Sequence, residues 1–138
     1  MATITQKITF KNTRTKQLYD LYMDPKLHGM ITNGPVKISE KPGSRLDVFE
    51  GYITGRTLMT EKNRLVVQEW TGADFGKNAA PSVFVLTFEQ KGPDAILNVF
   101  HGNVPEEKAS GLDKGWHDHY WKPWKQHLAG KEIRRPGM

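Results

Sequence analysis

The fold is decided by a stretch near the C-terminus that reads Gly115-Trp116-His117-Asp118-His119-Tyr120-Trp121-Lys122-Pro123-Trp124-Lys125-Gln126-His127-Leu128 and holds three of the chain's four tryptophans. At about 100° per residue, one helical stripe carries Trp116, Tyr120, Trp124 and Leu128, with Trp121 on its flank. Charged and polar side chains take the opposite face. An aromatic stripe of this size needs a large apolar surface to cover. We therefore predict a long helix over residues 110–130 that packs on a sheet.

The rest of the chain predicts the strands that such a helix requires. Residues 3–10 alternate apolar and polar side chains, which is the pattern of a half-buried strand. Two short helices follow, the first capped by Asn12 or Thr13 and the second beginning at Pro25. From residue 36 onward the pattern changes to strands joined by turns. These predicted strands comprise residues 36–40, 45–50, 52–60, 64–71, 83–90 and 95–104.

The predicted order is one strand, two short helices, six strands and one long helix, which defines an α+β protein. A curved antiparallel sheet with one apolar face must be covered, and only the C-terminal helix is long and apolar enough to cover it. Alternate positions of a strand share one face. We expect the inward sets of the last hairpin to be Phe84, Leu86 and Phe88 on one strand and Leu97, Val99 and His101 on the other. Residues 52–59 and 65–70 carry apolar side chains at both odd and even positions, so the pattern does not determine which set points inward.

Several of these side chains could line a cavity between the sheet and the helix. Aromatic residues can equally be plain core, and both roles stay open. Trp121, at the edge of the stripe, is expected to be structural. The residues that we predict to line a cavity are Trp70, Phe84, Leu86, Phe88, Leu97, Val99, His101, Trp116, Tyr120 and Trp124.

Little in the sequence points to catalysis or to metal binding. Pro123 lies inside the predicted helix, where it removes one backbone donor and should kink the helix near His119. His117 and His119 diverge by about 200° on a helix, so they cannot share one ion. The chain has no cysteine, no nucleophile elbow and no phosphate loop. We therefore predict no metal, no cofactor and no catalytic residue.

Composition limits the class of protein. With 138 residues, of which 37% are apolar and 25% charged, the chain fits one globular domain. We expect that domain to span residues 1–130 and a flexible tail to follow at 131–138. The chain shows no apolar run of membrane-spanning length and no signal-peptide pattern, so we expect a cytoplasmic protein without membrane insertion. The net charge is +5, but the basic residues are scattered along the sequence, which argues against nucleic-acid binding.

Four blocks of residues resemble a known family. They are Phe49-Glu50-Gly51-Tyr52-Ile53-Thr54-Gly55, Leu65-Val66-Val67-Gln68-Glu69-Trp70, His101-Gly102-Asn103-Val104-Pro105, and Gly115-Trp116 with Tyr120-Trp121-Lys122-Pro123. With the order of elements, they are similar to the activator-of-heat-shock-chaperone-ATPase (AHSA) family. That family is a branch of the START-like (SRPBCC) helix-grip superfamily, which also contains the birch pollen allergen and polyketide cyclases. The resemblance covers residues 3–128 and is to the second domain of the eukaryotic activator.

The resemblance implies a β-αα-β6-α fold in which a seven-stranded sheet grips the C-terminal helix and encloses a groove or cavity. It leaves three classes of function open. The first is a non-enzymatic domain that binds a small hydrophobic ligand, lipid-like or aromatic, oriented by polar groups such as Tyr120 or His101. The alternative is a stress-related interaction module that contacts a heat shock chaperone. The third, an enzyme of the cyclase, dehydratase or hydrolase type, has the least support because no catalytic pair is recognisable.

Overall fold

The computed structural model describes residues 1–135, and within them seven antiparallel strands form one sheet that is covered by a C-terminal helix. Two short helices separate the first strand from the other six. The elements in chain order are β1 (Ala2–Phe10), α1 (Thr15–Met23), α2 (Pro25–Thr32), β2 (Val36–Lys37), β3 (Arg45–Val48), β4 (Ile53–Glu61), β5 (Leu65–Gly72), β6 (Ser82–Lys91), β7 (Asp94–Val104), a 3₁₀ turn (Glu106–Lys108), α3 (Ala109–Trp116), a π-helical segment (His117–Trp121) and α4 (Lys122–Leu128). The predicted α+β class and the β-αα-β6-α order are confirmed.

The strands are arranged in the order β1-β7-β6-β5-β4-β3-β2. The first strand therefore pairs with the last, and β1 and β2 form the two edges of the sheet. The first predicted hairpin is much shorter than expected. Only Val36 and Lys37 pair with β3, because the backbone at Gly43 and Ser44 instead bonds to Thr57 of β4.

The inward faces of the last hairpin are as predicted, since both sets of three alternate side chains are buried. The faces that the sequence left open are now assigned. In β5 the buried side chains are Val66, Gln68 and Trp70. In β4 the pairing register shifts between Thr57 and Met59, as a β-bulge does. The bulge explains why apolar side chains occur at both odd and even positions of β4, because some of them are exposed there.

The C-terminal helix is continuous but irregular in its middle. The Lys122 N–H donates to the His117 carbonyl, five residues back, instead of four. Pro123 follows at once and has no N–H to donate, so the predicted disturbance near His119 takes the form of a π-helical turn. The extra residue in that turn brings two neighbours, Tyr120 and Trp121, inward together. Trp121 is only 1% exposed, so it belongs to the core and not to the edge of the stripe.

The two short helices differ in how they begin. Arg14 is the N-cap of α1, not Asn12 or Thr13 as predicted, and its N–H donates to the Gln17 Oε1 at 2.8 Å. The Thr13 hydroxyl instead donates to the Lys11 carbonyl. The second helix begins as predicted, with Pro25 in its first turn.

Part of the predicted tail lies against the domain. The Arg135 guanidinium donates to the carbonyls of Met30 and Ile31 at the end of α2, and the Arg134 N–H donates to Gln126. Residues 136–138 lie outside the described residues, and the division at residue 130 stays a prediction. Across residues 1–135, the longest and most apolar helix still falls short of what crossing a membrane requires.

Candidate functional site

One end of the helix–sheet interface holds an open cleft of about 650 Å³. It lies between α3, the end of β5 and the turn that precedes β4. Its walls are mainly aromatic, and its polar groups stand at the mouth. The lining residues are Phe49, Tyr52, Ile53, Trp70, Gly72, Asp74, Phe75, Glu107, Lys108, Gly111, Leu112, Gly115, Trp116, His119 and Tyr120.

The cleft exists because the helix presents glycine where a larger side chain would fill the space. Gly111 and Gly115 stand four residues apart on one helical face, and both line the cleft. A Cβ placed on Gly111 would meet no atom of the described residues within 4 Å. Glycine inside a helix is less stable than alanine by roughly 0.5–1 kcal/mol. The sequence therefore accepts a weaker helix here, and the result is an open space.

Packed aromatic rings form the inner wall of the cleft. Phe84 stacks on Trp116 at 4.3 Å between ring centroids, and the Trp121 ring lies nearly parallel to that of Trp116 at 5.6 Å. Trp70 lies 5.7 Å from Trp116 and equally close to Phe75. These contacts hold the wall in one arrangement.

A buried hydrogen-bonded chain fixes Trp116 from behind. The Trp116 indole N–H donates to His101 Nδ1 at 3.2 Å, so that nitrogen carries no proton. His101 Nε2 therefore carries it and donates to the Ser82 hydroxyl at 2.8 Å, which donates in turn to the Trp70 carbonyl. Burial lowers the pKa of His101 to about 4, which keeps the imidazole neutral in this chain. Both of its nitrogens are engaged.

A second buried histidine fixes the neighbouring wall. His28 Nδ1 lies 2.8 Å from the Tyr22 carbonyl, which can only accept, so Nδ1 carries the proton. His28 Nε2 then accepts from the Tyr120 hydroxyl at 2.8 Å. Burial lowers the pKa of His28 to about 4, against the opposing effect of the Tyr22 carbonyl, and burial raises the pKa of Tyr120. His28 and His101 are thus neutral in opposite tautomers.

A buried glutamine continues this polar core into the sheet. The Tyr22 hydroxyl donates to the Gln68 Oε1 at 2.6 Å, and the Gln68 amide donates to the Thr57 hydroxyl at 3.3 Å. Gln68 is fully buried, and these bonds offset the loss of its hydration. The two helices, the sheet and the C-terminal helix therefore meet in one connected set of polar contacts beneath the cleft.

The mouth of the cleft carries its charges. Asp74 Oδ2 lies 3.2 Å from the Lys108 ammonium. Desolvation raises the pKa of Asp74, but the neighbouring Tyr52 hydroxyl and the Lys108 ammonium outweigh it and hold the pKa below its usual value. Asp74 is therefore ionised at neutral pH, so it can orient a polar group but is a poor proton donor. Among residues 1–135, no cluster of potential ligands suits a metal ion.

The structure brings three of the ten predicted residues together in the cleft, namely Trp70, Trp116 and Tyr120. The other seven are buried in the interior behind that wall, where close packing leaves them to form the core, and any contact of theirs with a ligand stays a prediction. These seven are Phe84, Leu86, Phe88, Leu97, Val99, His101 and Trp124.

Sequence reasoning missed several lining residues. Phe75 stands in a loop rich in small residues, and Phe49 stands in a turn, so neither follows a strand or helix period. The four-residue spacing of Gly111 and Gly115 in a predicted helix was a usable signal, because glycine is otherwise disfavoured there. His28 gave no signal, since its partner Tyr120 is 92 residues away.

No family model matches the chain. A curated but uncharacterized protein of Schizosaccharomyces pombe is 23% identical over 124 residues, which cover 90% of this chain. The chain spans only about a third of that relative's length, 36%.

Solved structures are similar over nearly the whole chain. An HSP90 activator from Plasmodium falciparum superposes with a TM-score of 0.82 at 18% identity, covering 91% of this chain and 96% of that one. A protein from Mesorhizobium loti gives 0.79 at 16% identity, with 96% and 100% covered. The Aha1 dimer from Colwellia psychrerythraea gives 0.73 at 13% identity, with 85% and 89% covered. At these identities the likeness establishes the fold, and it confirms the helix-grip architecture that the resemblance implied.

Proposed function

We propose that this chain binds a small apolar molecule in the cleft between the C-terminal helix and the sheet. The observation that carries the proposal is an aromatic cleft of about 650 Å³, inside the range of roughly 300–1,000 Å³ that is usual for small-molecule sites. Removing apolar surface of the ligand from water supplies the driving force. The bound molecule meets the aromatic side chains of Trp70, Trp116 and Tyr120 on the inner wall.

The polar groups that orient the ligand stand at the mouth of the cleft. Both nitrogens of His101 are engaged, and the hydroxyl proton of Tyr120 is held by His28. The polar groups that line the mouth are the Tyr52 hydroxyl, the side chains of Glu107 and His119, and the paired charges of Asp74 and Lys108. An apolar molecule with one polar end therefore fits best, with that end directed outward.

A neutral fluorescent probe tests this proposal. N-phenyl-1-naphthylamine should bind to the wild type with a rise in emission and should raise the melting temperature when present in excess. Gly111→Trp places an indole in the cleft and should abolish both effects. Gly111→Ala is the matched control, because it strengthens the same helix position and leaves the cleft open.

Two results would contradict the proposal. One is that the wild type neither brightens the probe nor gains melting temperature from it. The other is that Gly111→Trp and Gly111→Ala bind the probe equally well, since binding then takes place away from the cleft.

A second candidate is partnership with a heat shock chaperone of the HSP90 class. It is favoured by the likeness to the Plasmodium falciparum activator, which covers almost the full length of both chains. The outer face of the sheet offers a surface for it, because Phe100, Val85, Val67 and Met59 stand next to one another on four adjacent strands. Phe100 is 44% exposed.

The chaperone's ATPase rate tests the second candidate. The wild type should raise the rate, and Phe100→Ser should remove the effect while probe binding in the cleft persists. This candidate would be ruled out if the wild type neither formed a complex with the chaperone nor changed its ATPase rate. A full effect with Phe100→Ser would move the contact to another surface.

A further inference from the structure

A second cavity of about 250 Å³ adjoins the cleft. Its lining residues are Ile31, Thr32, Asn33, Phe49, Asp118, His119, Pro123 and Arg135. Two residues, Phe49 and His119, line both spaces. Their rings meet edge to face, with centroids 6.2 Å apart and planes at 73°. The two side chains are therefore a wall that the cleft and the second cavity share.

The backbone on both sides of this wall is irregular. Phe49, Glu50 and Gly51 have φ of 56°, 52° and 88°, so three consecutive residues are left-handed. This conformation is unfavourable for Phe49 and Glu50, which carry a Cβ. His119 stands in the π-helical segment. Unfavourable backbone and π-helical turns persist where the surrounding structure holds them, and both are frequent at functional sites.

Hydrogen bonds hold the left-handed turn in place. The Gly51 N–H donates to Asp47 Oδ1 at 2.8 Å, and the Tyr52 N–H donates to the Phe49 carbonyl at 3.1 Å. The Ala73 N–H donates to the Tyr52 carbonyl at 2.7 Å, which ties the turn to the loop after β5. Phe49 is thus fixed against His119.

We infer that Phe49 and His119 are specificity-determining residues, because their side chains limit the cleft to compact ligands. The second cavity lies behind these two side chains, and a ligand bound in the cleft does not reach it. The inference rests on the proposed function of the cleft. The ligand class is a compact apolar molecule that fits within the cleft, because a longer one meets the shared wall. Removal of either side chain should join the two spaces into one elongated site.

The chemistry of the second cavity defines what the joined site would accept. Its two charged groups already have partners. Asp118 pairs with Lys114 and Lys122, and the Arg135 guanidinium donates to two carbonyls of α2. With the charges paired and with Thr32 and Asn33 in the lining, the space suits an uncharged polar end such as a hydroxyl.

A series of naphthols that carry an ω-hydroxyalkyl chain of one to six methylenes, with the ring hydroxyl free to face the mouth, tests the inference, and affinity is measured by displacement of N-phenyl-1-naphthylamine. In the wild type, affinity should stop rising once the chain reaches the shared wall. In Phe49→Ala and in His119→Ala it should continue to rise, so that the ratio of long-probe to short-probe affinity grows about tenfold over the wild type. His119 is exposed, so its variant tests the inference even if Phe49→Ala folds poorly. Adding Thr32→Phe to either variant should fill the second cavity and restore the limit, whereas Thr32→Ser should not.

The outcomes separate the inference from the function on which it rests. A wild type that binds none of the probes contradicts both. A wild type that binds short probes, with the same length limit in both variants, overturns the inference and leaves the proposed function standing. A wild type whose affinity rises along the whole series also overturns it, because no wall then limits the site.

Discussion

The two halves of the C-terminal helix cover the same sheet with opposite results. In the second half, Trp121 and Trp124 are inward and fully buried, and their rings meet at 4.8 Å. In the first half, Gly111 and Gly115 line an open cleft. The comparison shows that side-chain volume along one helix decides where the interface is packed and where it is open.

The largest expected effect contrasts truncations in the two halves. Trp124→Ala should lower the free energy of unfolding by about 3–5 kcal/mol, because it leaves a new cavity in a packed interior. Leu112→Ala should lower it by about 1 kcal/mol or less, because it only widens a space that is already open. Urea denaturation of the two variants measures both values. Equal losses would mean that the two halves are packed alike.

The next effect concerns the histidines that support the cleft wall. Burial depresses the pKa of His28 and of His101 from 6.5 to about 4 in the folded state. As the pH falls below 6.5, these two imidazoles take up protons in the unfolded chain but not yet in the folded protein. The free energy of unfolding therefore decreases between pH 6.5 and pH 4. The loss is on the order of 3 kcal/mol per histidine.

Unfolding measured between pH 7 and pH 4 tests this expectation. His101→Gln retains an acceptor for Trp116 and a donor for Ser82 but cannot titrate, so its stability should fall less steeply with acid. An unchanged slope in that variant would show that His101 is not one of the groups responsible.

A smaller effect is expected in the left-handed turn beside the cleft. Glu50 is exposed and has a φ of 52°, which glycine adopts readily. Glu50→Gly should therefore raise the free energy of unfolding by about 0.5–1 kcal/mol after the greater freedom of glycine in the unfolded chain is subtracted. Glu50→Ala removes the same carboxylate without relieving φ and is the control. A gain in both variants would assign the effect to charge.

The smallest effect returns to the glycines of the open half. Gly111→Ala should stabilise the protein by about 0.5–1 kcal/mol, since alanine favours a helix and its Cβ meets free space. The thermal midpoint, followed by circular dichroism, measures this change. A loss of stability would show that the position is more crowded than the cleft implies.

The fold could be predicted because its signals are periodic. The aromatic stripe repeats every four residues from Trp116 to Leu128, and buried and less buried side chains alternate in β6 from Ser82 to Phe88. Each pattern has one low-energy arrangement, since a large apolar face must be buried. The bulge in β4 defeated the same reasoning, because one extra residue reverses the parity on which it depends.

The site was harder to predict because it lies where those periods fail. Phe49 enters the cleft from a left-handed turn and Phe75 from a loop. The support of Tyr120 by His28 joins residues that are far apart in the chain. Contacts of this kind are set by the completed fold, and no local pattern indicates them.

The first half of the C-terminal helix borders an open cleft and the second half is closely packed. The most direct test of this difference is the response of the four tryptophan indoles to a ligand. We would titrate N-phenyl-1-naphthylamine into ¹⁵N-labelled protein and follow the four indole N–H signals by NMR. The signals of Trp70 and Trp116 should shift with the probe concentration, while those of Trp121 and Trp124 stay in place. Shifts confined to Trp121 and Trp124, or no shift in any of the four, would contradict the account.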